Sequence, residues 1–176
     1  KTMSIIKVLI VTLCVFQSVK VSGQNILNQY DDEGRKNGQW LEIAGYFNFV
    51  TNYNHGKIDG ICYQLKHKGE ICSIYEYDNG RLLKIISFDD QQRLQFMITD
   101  FVDVDTIVRG RDLTHRFRKR FKSIGYHPNG VIESIETSYL LEGGDPEIDS
   151  FEFGKAYYYD EKGNLVETKE LFTPSF

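Results

Sequence analysis

Turn signals recur along this chain at intervals of nine to twenty-four residues, and they are of two kinds. The longer is an apolar residue, three turn-prone residues and then glycine. It occurs at Tyr30–Gly34, Leu65–Gly69, Tyr126–Gly130 and Tyr159–Gly163, with Phe88–Gln92 as a degenerate copy that has Gln92 where the glycine belongs. The shorter is an aromatic residue, two residues, then glycine and a basic residue. It occurs at Tyr53–Lys57, Tyr77–Arg81 and Phe151–Lys155, with Ile107–Arg111 as a weaker copy. Glycine after three turn-prone residues suits a type I turn closed by a residue at positive φ, and Asn79-Gly80 suits a two-residue primed turn. Read in order, long and short turns alternate from Gly34 to Gly163, which points to a degenerate internal repeat.

The segments between turns are short and rich in aromatic and β-branched residues, as in 60–65, 71–77 and 82–88. Their connections are too brief for parallel crossovers, so neighbours must run antiparallel. The expected fold is all-β, an open twisted meander of about ten strands built from stacked hairpins. The strands are expected at 37–44, 46–53, 59–66, 70–77, 81–88, 93–106, 112–126, 131–141, 151–160 and 164–171. The alternative is closure of the same strands into an up-and-down barrel that could hold a small ligand.

Residues 1–23 carry Lys1, Lys7 and Lys20, no acidic residue, and the apolar run Val8–Phe16, ending in Val21-Ser22-Gly23. That is the pattern of a secretory signal peptide cut after Gly23. The apolar run falls short of the roughly 20 residues of a membrane span, so no transmembrane span is expected after cleavage. The domain is then 24–176, with 18 basic against 25 acidic residues and a charge near −7. This acidity argues against nucleic acid as a partner. The expected location is the periplasm, the cell surface or the medium.

Cys62 and Cys72 remain after cleavage. A three-residue loop at Gly69 would set Gln64 opposite Cys72, placing the two cysteines on one face. A disulfide between them is therefore considered beside two packed thiols. The arm holding Asp100, Asp103 and Asp105 folds against one holding His115, Arg116, Arg118, Lys119, Arg120 and Lys122. Cross-strand charge pairing is the plain reading, and an anion-facing patch centred on Arg116, Arg118 and Arg120 the sharper one. Tyr157, Tyr158 and Tyr159 either cover the sheet or form a stripe that contacts a sugar or peptide, with Tyr157 and Tyr159 on one face and Tyr158 on the other. Asp145, Glu147 and Asp149 sit in an inserted loop, 141–150, whose spacing matches no calcium motif.

Gly34-Arg35-Lys36-Asn37-Gly38-x-Trp40, Gly56-Lys57-Ile58-Asp59-Gly60-x-x-Tyr63 and Gly154-Lys155-Ala156-Tyr157 resemble the MORN-repeat variant of bacterial proteins. The likeness covers most of 30–170 and weakens between about 94 and 125. It implies stacked hairpins in an elongated sheet serving binding or scaffolding, sometimes at membranes. Members of that family are often labelled antitoxin components or secreted proteins. No nucleophile elbow, zinc-protease helix motif, P-loop or dinucleotide fingerprint occurs. No catalytic residue, cofactor or metal site is therefore expected. The function expected is a secreted, non-enzymatic binding or scaffold module facing a protein, glycan or cell-envelope component, with peripheral membrane contact allowed. The alternatives are a ligand-binding barrel and an antitoxin or immunity-type protein.

Overall fold

The computed structural model describes residues 27–109, 114–144, 146–147 and 150–171. The expected signal peptide, the weak turn at Gly110, and Asp145 and Asp149 lie outside them. Among the described residues every element is a strand. The first half holds β1 (Gln29–Tyr30), β2 (Lys36–Ala44), β3 (Phe47–Asn54), β4 (Lys57–Ile58), β5 (Gly60–Lys66), β6 (Ile71–Asp78) and β7 (Arg81–Phe88). The second holds β8 (Leu94–Arg109), β9 (Thr114–Tyr126), β10 (Ile132–Leu141), β11 (Ser150–Glu152), β12 (Lys155–Tyr159) and β13 (Leu165–Glu170).

All pair antiparallel in one sheet, in chain order from β1 to β13, with β4 set beside β3 and β11 beside β10. The two outermost strands do not meet, so the sheet is an open meander and the barrel alternative is overturned. The expected strand 151–160 is interrupted at Gly154, whose φ of 80° breaks the pleat. Its halves, β11 and β12, both pair with β10, so Gly154 marks a break within a strand where the sequence suggested a hairpin turn. A reversal at Gly45-Tyr46 lies outside the long and short series. Gly45 takes φ 60° at its first position, as a type II′ turn requires.

The five long turns share one hydrogen-bond pattern. The amide at position 34, 69, 92, 130 or 163 donates three residues back, and the amide of the residue after the leading apolar one donates four residues ahead, at 2.8–3.0 Å. Gln92 does this at φ 59°, so the degenerate copy keeps the conformation without the glycine. In three of these turns an aspartate leads. Asp31, Asp89 and Asp160 each accept from the amides two and four residues on. The short turns His55-Gly56 and Asn79-Gly80 have positive φ at both residues, the type I′ form.

Successive hairpins also interlock at their ends. The Gly56 amide donates to the Lys36 carbonyl and the His55 amide to Asn37 Oδ1. One repeat later the Gly80 amide donates to the Ile58 carbonyl and the Asn79 amide to Asp59 Oδ1. The G-x-x-x-G segments supply both acceptors, and Gly34, Gly38, Gly56 and Gly60 all sit at positive φ.

The cysteines do not share a face. A bulge in the β5–β6 pair sets Gln64 opposite Ser73 and Leu65 opposite Ile71, leaving Cys72 as the extra residue. Cys62 pairs across to Tyr75, and both thiols are free, so the disulfide reading is overturned. Buried Cys62 lies 3.1 Å from the Thr51 hydroxyl, and burial pushes its thiol pKa up.

The two faces of the sheet differ. We call inner the face holding the core: Ile85, Ile98, Phe121 and Leu140, with Tyr75, Leu82, Phe96 and Phe101 packed against them. The outer face carries a cross-strand row in unbroken register: Leu41, Val50, Tyr63, Ile74, Ile86, Met97, Ile124, Ile135, Tyr157 and Thr168.

Candidate functional site

On the inner face, another row in register runs from Phe49 through Gln64, Ser73, Ser87 and Phe96 to Gly125, Ser134 and Tyr158. Its middle is small and polar, which makes a trough instead of a packed ridge. The Ser73 and Ser87 hydroxyls, both buried, lie 2.9 Å apart. A Cβ on Gly125 would come within 2.7 Å of Ser134 Oγ, so the serine side chain lies over the glycine there.

Pro146 and Glu147 of the inserted segment lie at this trough. Ser87 Oγ donates to Glu147 Oε1 at 3.4 Å, a contact between residues sixty apart in sequence. Glu147 borders two cavities. One, of about 400 Å³, is lined mainly by aromatic and polar residues, including Phe49, Tyr53, Tyr75, Tyr77 and Glu42. The other, of about 280 Å³, lies between Pro146 and the sheet, over Phe96, Ile98 and Phe121. Ser123, Ser134, Ser138 and Ser150 give it hydroxyls, and Glu136, Glu147 and Glu152 give it carboxylates.

Alternation along β10 sends Ser134, Glu136 and Ser138 to the inner face, and the short β11 brings Glu152 opposite Ser138. Burial raises the Glu136 pKa, against the hydrogen bond from Tyr158. The charge of Glu152, close enough to share a hydrogen bond, raises it further. The Tyr158 hydroxyl donates to Glu136 Oε1 at 3.0 Å, and burial beside that carboxylate pushes its pKa up to about 12. Lys169 lies 4.8 Å from the Tyr158 ring centroid and 3.5 Å from Glu167.

The residues singled out in the sequence are not brought together. Tyr157 belongs to the outer row and Tyr158 to the trough, while the Tyr159 carbonyl accepts from His127 Nε2 at 2.8 Å, tying two turns together. Arg116 forms a bidentate pair with Asp105 at 2.9 and 3.0 Å. Arg118 reaches Glu142 at 2.9 Å and Asp105 at 3.4 Å. Lys119 pairs with Asp103 and Lys122 with Asp100, so the acidic and basic arms meet across β8 and β9. Arg120 is exposed, opposite Val102 and Tyr139, with no carboxylate in ion-pair range among the described residues. Near it Tyr139 joins Phe117, Phe151 and Phe153 in edge-to-face contacts of 5.0–6.0 Å.

The trough was not singled out in the sequence, because its carboxylates come from three separate segments. The available signal was the run Ser134-x-Glu136-x-Ser138, alternate polar positions on a strand whose other face carries Ile135, Thr137 and Tyr139. Among the described residues no group of three or more His, Cys, Asp or Glu is arranged to hold a metal, and no helix is long and apolar enough to cross a membrane. No family model, curated protein or solved structure matches the chain.

Proposed function

We propose that this chain is a non-enzymatic binding module of MORN-like repeats, exported from the cytoplasm, that presents its outer face to a protein of the cell envelope. The outer row supports this reading. It crosses ten strands spaced about 4.8 Å apart, so it extends roughly 43 Å. Nine of its ten residues are apolar or aromatic. Leu41 is 40% exposed and Tyr157 36%, and the residues between them are half-buried. A continuous apolar stripe of that length on a single-layer sheet is a surface for a macromolecule, since isolated exposed apolar residues are ordinary and contiguous ones are not. Charged groups border it, including Arg120 and the paired arms of β8 and β9, which suits a partner with an apolar centre and a polar rim. The interlocked G-x-x-x-G turns support the repeat assignment, and the charge pattern of residues 1–23 supports export.

The test is capture from fractionated envelope extract by the immobilised protein, followed by direct binding to the purified candidate. Leu41→Glu with Tyr157→Glu should abolish that binding, because both are exposed and their loss costs the fold little. Glu136→Gln on the inner face should leave it intact. If the outer-face double variant binds as the parent does, the outer row is not the docking surface. Turnover of a glycan or lipid by the purified protein would overturn the non-enzymatic reading.

A further inference from the structure

The cavity beneath Pro146 is built differently from the outer row and asks for a different ligand. Three carboxylates reach it, from Glu136, Glu147 and Glu152, and no basic side chain lines it. The ammonium of Lys169, whose charge acts on Glu136, pairs with Glu167 and sits over the Tyr158 ring. A second observation points inward: Ser138 is only 3% exposed, its side chain lines this cavity, and it has no hydrogen-bond partner among the described residues. Its hydroxyl therefore offers an acceptor to whatever enters. Phe96, Ile98 and Phe121 make the floor apolar.

We propose that this cavity binds a linear alkylammonium group, carried either by a free diamine or by a lysine side chain. An ammonium has three N–H donors, and Glu136, Glu152 and Ser138 are acceptors in adjacent positions on β10 and β11. The methylenes behind it would lie on Phe96, Ile98 and Phe121, where a hydrated metal ion gains nothing. Hard divalent cations need six or more oxygens around them, and the apolar floor supplies none on that side. A volume of about 280 Å³ is near the lower end of small-molecule pockets, about 300–1,000 Å³, and suits a short unbranched chain. The outer-face reading is independent of this one, since the two sites lie on opposite sides of the sheet and either can fail alone.

The test is an amide-shift titration of the purified protein at neutral pH with 1,5-diaminopentane and, separately, with doubly blocked lysine (Nα-acetyl-lysine methylamide). Saturable shifts centred on Ser134–Ser138 and Phe151–Glu152 are expected with at least one of them. Which one saturates tells a free amine from a side chain. Pentan-1-ol should produce no such shifts, and calcium chloride should not displace the amine. Glu136→Gln with Glu152→Gln should weaken binding at least tenfold, whereas Glu33→Gln on a remote turn should not change it. Should the double variant fail to fold, the wild-type shift map and the pentanol arm still decide. Shifts absent, centred elsewhere, matched by pentanol, displaced by calcium or unchanged in a folded double variant would overturn the proposal.

Discussion

Ile85 and Ile86 stand side by side in β7 with the same side chain and opposite surroundings. Ile85 is 1% exposed among Ile98, Phe121 and Leu140, while Ile86 is half-buried in the outer row. Because the sheet is a single layer, its stability rests on one face, and the other is left free to make contacts. The largest expected effect separates them. Ile85→Ala should cost roughly 3–4 kcal/mol, within the range for truncation in a packed core, and Ile86→Ala about 1 kcal/mol, since it leaves no enclosed void. Urea unfolding of both variants checks this. Equal costs would mean that the outer face is covered in solution.

The trough sharpens the contrast within the inner face. Gly125→Ala should destabilise by about 1–3 kcal/mol, because the new methyl meets Ser134 Oγ at 2.7 Å and that side chain must shift to admit it. Ser134→Gly added to it should restore most of the loss, measured as a double-mutant cycle. A cycle with no coupling would show that β9 and β10 are not in this register.

A smaller effect belongs to the turns. Gln92 holds positive φ without a glycine, and its side chain bonds both the amide and the carbonyl of Ile71, at 3.2 and 3.0 Å. Gln92→Ala keeps the strain and loses the clamp, whereas Gln92→Gly loses the clamp but relaxes the strain. The glycine variant should be more stable than the alanine one by about 1 kcal/mol. Equal thermal unfolding of the two would argue that the strain is not real.

The smallest effects are electrostatic and run in opposite directions at the two sites. Asp31 is held well below its usual pKa, chiefly by His55, Asp89 chiefly by the Arg93 amide and Asp160 chiefly by Asn164. Their folded pKa values lie below the unfolded ones. The stability they contribute is present above the ordinary carboxylate range near pH 4, and it is lost as pH falls through the lowered values. Glu136, raised by burial, behaves conversely: its contribution is favourable below its usual 4.5 and is lost as pH rises through the raised value. Glu136→Gln removes that dependence, so the variant's melting temperature should gain on the parent's between pH 4 and pH 8. A constant difference across that range would contradict the burial.

The fold was readable because turn chemistry is local. The glycines at 34, 56, 69, 80, 130 and 163 need positive φ, and the strands between them have little choice of partner. What could not be read was which residues share a face. The bulge after Gln64 separates Cys62 from Cys72, and no local signal in Leu65–Ser73 announces it. Two-residue strands such as β1 and β4 are below any pattern. The trough depends on register summed over eight strands and on Glu147 reaching Ser87, so its carboxylates look like ordinary surface charge in the sequence. The charged arms of β8 and β9 were legible as pairs because each is concentrated in one strand.

The order of strands in the sheet is also a statement about how the chain folds. Every ladder joins a strand to a neighbour in sequence, with only the minor β4 and β11 inserted. No pairing waits for distant segments to meet, so the entropy of closing long loops, which slows most all-β proteins, is largely absent. Hairpins can form anywhere and zip outward in both directions, as in other quasi-linear repeats. The contact between Ser87 and Glu147 joins residues sixty apart, and a late phase in refolding should belong to its formation.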